Sequence, residues 1–209
     1  MNGTESPRLA TRSSLSIRPL CLALILSMLA CASATSIAAV APEPKTPVDL
    51  KAVGDIVHER INAIRAEHGL KPLARSPELA AIALGHSRDM AGRGYFSHDS
   101  PEGVQPHERA KAAGYTCRVP VGGNKYQGIG ENIFQITAYE SIRRTVRQGQ
   151  VSERYNWFAP QAMAGKIVQG WMNSPPHRAV ILNRHFSKAG LGLAYSPRDK
   201  TVYITHNFC

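Results

Sequence analysis

GWMNSPPHRAVIL, Gly170 to Leu182, ends an amphipathic run with two consecutive prolines and places a histidine directly behind them. Upstream, Met163, Ile167, Val168, Trp171 and Met172 recur at the spacing of one buried helix face, which predicts a helix from Pro160 to about Asn173. Pro175 and Pro176 end it, because proline lacks the N–H donor and pushes the preceding residue out of the α region. The chain then either makes a plain turn or uses the restricted dihedrals of the pair to aim His177 away from the core. Downstream, KAGLGLAY and KTVYITHNF alternate in hydropathy around Ser196-Pro197-Arg198-Asp199, the pattern of an antiparallel hairpin.

Toward the N-terminus the helical period returns. Val53, Val57, Ile61 and Ile64 share one side of a helix that Gly69 can terminate. Ser76 as N-cap and Pro77 in the first turn open a second helix, with Leu79, Ala83, His86 and Met90 as its stripe; His86 reads as a hydrogen-bonded core residue. GRGYFSHDSPEG, Gly92 to Gly103, is a turn-rich loop carrying His98, and a short helical stretch follows it up to Gly114. GIGENIF, Gly128 to Phe134, leads into a strand. Residues Ala138 to Arg147 are predicted helical, with Arg143, Arg144 and Arg147 on a solvated face, and Gln148 to Ala159 has no clear period and reads as an excursion. Helices flanking antiparallel strands make this an α+β domain.

Arg8, Arg12 and Arg18 precede a charge-free run, Leu20 to Ala32, too short for a membrane span, and Ala32-Ser33-Ala34 offers a cleavage site. Residues 1–34 therefore read as an export signal. Met28-Leu29-Ala30-Cys31 leaves open a lipoprotein signal with a lipidated Cys31, and a retained signal anchor is a third alternative. Residues 35–52 are an Ala/Pro-rich linker, and the folded domain occupies residues 53–209. No transmembrane helix is expected in the mature chain, which would be secreted, periplasmic or held at the cell envelope. Removal of the export signal with Cys21 and Cys31 leaves Cys117 and Cys209, an even pair in an oxidising compartment; one disulfide or two separate buried thiols satisfy that count. The net charge of +10 falls to +8 without residues 1–34, which suits anionic lipids or acidic wall polymers. The scattered arginines carry no recognised nucleic-acid motif, and no nucleic-acid partner is expected.

GYFSHDSP, GIGENIF, GWMNSPPHRAVIL and ITHNFC, in this order and spacing, resemble the CAP superfamily, the SCP-like extracellular domain of cysteine-rich secretory and pathogenesis-related proteins, in its bacterial form. The resemblance covers roughly residues 55–209 and implies a three-layer α-β-α sandwich with a central antiparallel sheet and an open cleft lined by His and Glu. Matched position by position, His98 is the first cleft histidine, Glu131 the first glutamate and His177 the second histidine. The family's second glutamate would follow Trp171, where this chain has Met172-Asn173-Ser174. A three-residue site remains.

Two imidazoles and a carboxylate are the donor set of an open Zn²⁺ site, or of another divalent cation, with Glu131 bound directly or through water. The same residues can instead tie the loops together by hydrogen bonds alone. Two function classes follow: a binding module for a lipid or sterol, a cell-wall polymer or a protein, and a metal-dependent hydrolase of peptides or wall material with Glu131 as base beside His98 and His177. No H-E-x-x-H signature supports the hydrolase. Ser97 and Ser100 flank His98 without a G-x-S-x-G elbow and read as turn residues.

Overall fold

The structure is a computed structural model that describes residues 46–209. The expected export signal, Cys31, the cleavage site and most of the linker lie outside the described residues. Helix α1, Leu50–Glu67, starts three residues before the expected domain boundary, because the Asp49 side chain accepts the Ala52 N–H at 3.0 Å and supplies an N-cap. Its buried face is the predicted one, Val53, Val57 and Ile61. Strand β1, Ala74–Arg75, is followed by α2, Pro77–Arg93, capped by Ser76 and closed by Gly94 in the left-handed region. The short helix α3 spans Pro106–Ala112, and β2, Val119–Gly122, pairs with β3, Lys125–Gln127, in a small ribbon.

Strand β4 is Gly130–Thr137. The next segment departs from expectation: Ala138 to Arg147 is not helical, and Gln148 to Ala159 is not an irregular excursion. Tyr139–Arg147 and Gln150–Trp157 are strands β5 and β6 of an antiparallel hairpin. Gln148 and Gly149, at φ 48° and 77°, form a turn whose twist matches the flanking strands. Arginines interleaved with isolated apolar residues hid the two-residue period, so Arg143, Arg144 and Arg147 sit on a strand rather than a helix face. Helix α4, Pro160–Asn173, matches expectation. The two prolines after it do more than end it: they open a further helix, α5, Pro175–Ile181, and His177 lies in its first turn. Proline is at home there, since the first N–H groups of a helix have no partner to lose. The chain closes with β7, Lys188–Ser196, and β8, Thr201–Phe208.

The central sheet has the order β1-β7-β8-β4. Its three long strands run antiparallel as expected, while the two-residue β1 joins β7 in parallel and makes the sheet mixed. Side chains alternate across it. Val202, Ile204 and Phe208 face the main core with Val53, Ile61, Met163, Ile167 and Trp171, so α1 and α4 cover one face. Ile133, Ala194 and Tyr203 meet Met90 and Ala91 of α2 on the other. This is the three-layer α-β-α sandwich. The α2 layer sits unusually close, because a Cβ on Gly190 or Gly192 would fall 2.1 Å from the backbone nitrogen of Ala80 or Leu84. Glycine in KAGLGLAY thus marks the helix-facing side of β7.

Cys117 and Cys209 are joined in a disulfide that closes a separation of 92 residues. Cys209 also exchanges backbone hydrogen bonds with Lys188, so the chain end is fixed beside both β7 and the start of β2. Residues Pro42–Cys209 form one compact unit that carries the central sheet, the cores and the disulfide. No helix among the described residues is long and apolar enough to cross a membrane.

Candidate functional site

The loop that carries His98 is fastened from below and from the side. Below it, buried His86 of α2 bonds through Nε2 to the Ser97 carbonyl at 2.9 Å, the hydrogen-bonded core role expected for it. Burial, and secondarily the Arg109 charge, hold the His86 pKa below the ordinary histidine value, so the ring is neutral there. From the side, Arg109 of α3 donates through Nη1 to the carbonyls of His98 and Val104, each at 2.9 Å. Ser100 Oγ accepts the Val104 N–H at 3.2 Å, and Ser97 Oγ accepts the Asp99 N–H. Both serines bond within the turn, as their sequence context indicated.

Glu131 enters at the start of β4, where Gly130 makes room for α5 and the following loop: a Cβ there would approach the Phe186 ring to 2.8 Å and Val180 to 3.2 Å. The Glu131 side chain is only 2% exposed, and both its oxygens are engaged. Oε1 faces His98 Nδ1 at 2.9 Å, and Oε2 accepts from Arg109 Nη2 at 2.8 Å. A carboxylate at Nδ1 makes that nitrogen the donor and leaves the lone pair of a neutral His98 on Nε2. His177 is set from the neighbouring residue, since its carbonyl accepts from Asn132 Nδ2 at 3.0 Å. Its pKa is lowered, first by burial and then by the charge of His98.

His98 and Glu131 are therefore in contact, and His177, on a third element, is tied through its carbonyl to Asn132, the residue after Glu131. Arg109 is the residue that sequence reasoning missed. Its only signal was an arginine in the short helix after the His98 loop, eleven residues on, and such a residue reads as solvated. It supplies the charge that holds Glu131, and it alters the chemistry of the set. With both oxygens engaged, Glu131 is not presented as a third direct ligand, and among the described residues no three His, Cys, Asp or Glu side chains are arranged to hold a metal ion together. A carboxylate that orients an imidazole from behind is instead the usual outer partner of a metal-binding or ligand-binding histidine. Replacing Glu131 by glutamine is expected to lower stability by about 1 to 3 kcal/mol, because the amide cannot balance the Arg109 charge or fix the same His98 orientation. Urea denaturation of the two proteins reads this directly, and equal midpoints would contradict it.

The family model of the cysteine-rich secretory protein family, CAP, matches residues 58–208. The chain belongs to the CAP family. The CAP domain is 31% identical over 150 residues to the uncharacterized protein YkwD of Bacillus subtilis, covering 72% of this chain and 46% of that protein. It is 31% identical over 147 residues to the uncharacterized membrane protein YlbC of the same organism, covering 70% and 31% respectively. The chain thus spans less than half the length of these curated relatives. Among solved structures, an extracellular protein containing a SCP domain from Bacillus anthracis superposes with a TM-score of 0.53 at 28% identity, over 80% of this chain and 44% of that one. An outer surface protein of Borrelia burgdorferi shares the fold, with a TM-score of 0.50 at 15% identity over 77% of this chain and 93% of that one.

Proposed function

We propose that this chain is an exported binding module of the CAP family whose cleft, between His98 and His177, takes up a ligand rather than cleaving one. The observation that carries this reading is the closure of Glu131 between Arg109 and His98. A general base must be free to accept a proton from substrate or water, and both oxygens of this carboxylate are already occupied, one by the His98 imidazole and one by the Arg109 guanidinium. The ligand is a lipid, a cell-wall component or a protein. A divalent cation, Zn²⁺ by donor chemistry, would be held by the two imidazoles, with Glu131 orienting His98 from behind and the remaining positions filled by water or ligand oxygen. Export through the N-terminal leader, with release or with lipidation of Cys31, agrees with the basic charge and with the description of the Bacillus anthracis neighbour as extracellular.

Calorimetric titration with zinc tests the cation. Wild type is expected to bind, and His98→Ala/His177→Ala to lose at least about tenfold in affinity, as first-contact ligands do. Binding should weaken in acid as protons compete for the imidazoles, with the lowered pKa of His177 keeping that ring available further into acid than an ordinary histidine. Equal affinity in wild type and the double variant would remove the pair from the site. The hydrolase reading is tested on wall material and peptides: zinc-dependent release of new amine groups by wild type, abolished in Glu131→Gln with zinc content unchanged, would overturn the binding-module reading.

A further inference from the structure

The β5–β6 hairpin belongs to no part of the site described above, and it pairs with no strand of the central sheet. Its register decides what it shows to its surroundings. Ile142 lies opposite Tyr155, Arg144 opposite Glu153, Val146 opposite Val151 and Tyr139 opposite Trp157. With side chains alternating along each strand, and a bulge between Tyr139 and Ser141 returning Tyr139 to the same side, these pairs share one face. That face is aromatic at the base, where Tyr155 stacks on Trp157 at 5.1 Å and Tyr139 meets both rings, and aliphatic at the tip. Ile142, Val146 and Val151 are 41%, 63% and 59% exposed. Its one charge pair is internally balanced, since Arg144 Nη2 meets Glu153 at 2.8 Å.

The opposite face is cationic. Arg143 stands directly across from Arg154, and Arg147 follows on the same side toward the tip. None of these three pairs with a carboxylate among the described residues. Like charges directly opposite on a two-stranded ribbon are destabilising, and an isolated hairpin is marginal in water to begin with. A partner that brings anions to one face and takes apolar side chains from the other removes both difficulties. A second copy of the chain that covers the apolar face leaves the arginines on the opposite face without a counter-charge.

We propose that the β5–β6 hairpin is a membrane-surface anchor, which seats its exposed Ile142, Val146 and Val151 in the interface of an anionic bilayer while Arg143, Arg147 and Arg154 engage lipid phosphates. The dimensions agree. An interfacial element sinks roughly 5 to 10 Å into the boundary between headgroups and acyl chains. A single sheet with its side chains is about 10 Å thick, so its far side stays at phosphate level. Arginine suits that place because its planar fork takes phosphate oxygens in pairs. Tyr139, Tyr155 and Trp157 are half-buried at the base, where Trp157 packs against the main core and Lys200 Nζ lies 5.0 Å from the centre of the Tyr155 ring, so they join the hairpin to the domain and leave the aliphatic tip for the bilayer. The site is independent of the His98 cleft, and neither proposal depends on the other.

The test uses the compact unit Pro42–Cys209, which leaves out the apolar leader that would bind lipid by itself. It is mixed with vesicles of phosphatidylcholine alone or doped with phosphatidylglycerol, and binding is read by co-sedimentation. The expected result is binding to the anionic vesicles, weakened by salt. Val146→Asp/Val151→Asp and Arg143→Glu/Arg154→Glu should each weaken binding at least about tenfold. Melting curves check that these exposed substitutions leave the fold intact, and the milder Arg143→Gln/Arg154→Gln stands in if a charge reversal does not. No binding by wild type, or wild-type binding by both kinds of variant, overturns the proposal. So does a dimer that dissociates on Val146→Asp/Val151→Asp and ignores vesicles, which would assign the face to a second copy.

Discussion

Replacing Arg65 by methionine is expected to destabilise the protein by about 3 to 5 kcal/mol, because it leaves several buried carbonyls without their donor. Arg65 is fully buried in α1 and has no carboxylate partner among its contacts. Instead its guanidinium donates to four carbonyls: Lys71 at 3.0 Å, Ile181 at 2.6 Å, Asn183 at 3.0 Å and Phe186 at 3.2 Å. Burial pulls its pKa below the ordinary arginine value, so the site bears a desolvation cost that these oxygens offset. Methionine fills much of the volume but leaves the oxygens without a donor, and each buried orphan costs about 1 to 3 kcal/mol unless water reaches it. Three of the four lie in the segment that runs from α5 to β7, directly after His177. Urea denaturation should therefore show the loss of stability, and zinc titration a weaker cleft. An unchanged midpoint would mean that water replaces the guanidinium.

A comparably large effect is expected from acid. His206 is completely buried on β8, stacked near Trp171 at 5.6 Å and Phe208 at 4.1 Å, and neither ring nitrogen has a hydrogen-bond partner among the described residues. Burial, with a smaller contribution from His58, pushes its pKa down to about 3. The unfolded chain takes up that proton near 6.5. Since the folded value is the lower one, the stabilisation is whole above about pH 6.5 and shrinks as the pH falls toward the folded value. The slope is roughly 1.4 kcal/mol per pH unit, so pH 4.5 costs about 3 kcal/mol from this group alone. His58, His86 and His177 are shifted in the same direction by burial and steepen the loss. Denaturant midpoints measured from pH 7 to pH 4.5 should fall steadily in wild type and less steeply in His206→Phe. A flat wild-type profile, or an identical slope in the variant, would show that the ring is protonated in the folded state.

These two residues also mark where sequence reading stops. The stripes of α1, α2 and α4, the Ser76 cap and the β7–β8 pair were legible because each is local: the period, the cap and the turn lie within a dozen residues of one another. The contact of His98 with Glu131 was legible only through their motifs, without which two residues on separate elements have nothing in common. Arg65 and Arg109 were not. On a helix an arginine beside acidic neighbours reads as solvated, and the carbonyls that bury Arg65 are as much as 121 residues further along. His206 lies in a run whose alternation indicates a strand but not that both faces of the strand are covered. The segment from Ala138 to Ala159 failed for the opposite reason: with one face interrupted by an ion pair and the other studded with arginines, its hydropathy does not report the period of a core-facing strand.

The ring closed by Cys117 and Cys209, 92 residues apart, contains the exposed β5–β6 hairpin. On the proposed reading as an exported module the chain would meet proteases, and the turn at Gln148-Gly149, with extended strands on either side, is the natural place for them to cut. Such a cut does not release a fragment. The portion up to Gln148 carries His98, Arg109, Glu131 and β4, while the portion from Gly149 carries His177, β7 and β8. The disulfide holds the two portions together, and the β4–β8 ladder keeps them in register. A nicked molecule would run as one species until reduced and would still present its cleft, so cleavage of the hairpin can sever the surface it displays without dismantling the domain behind it.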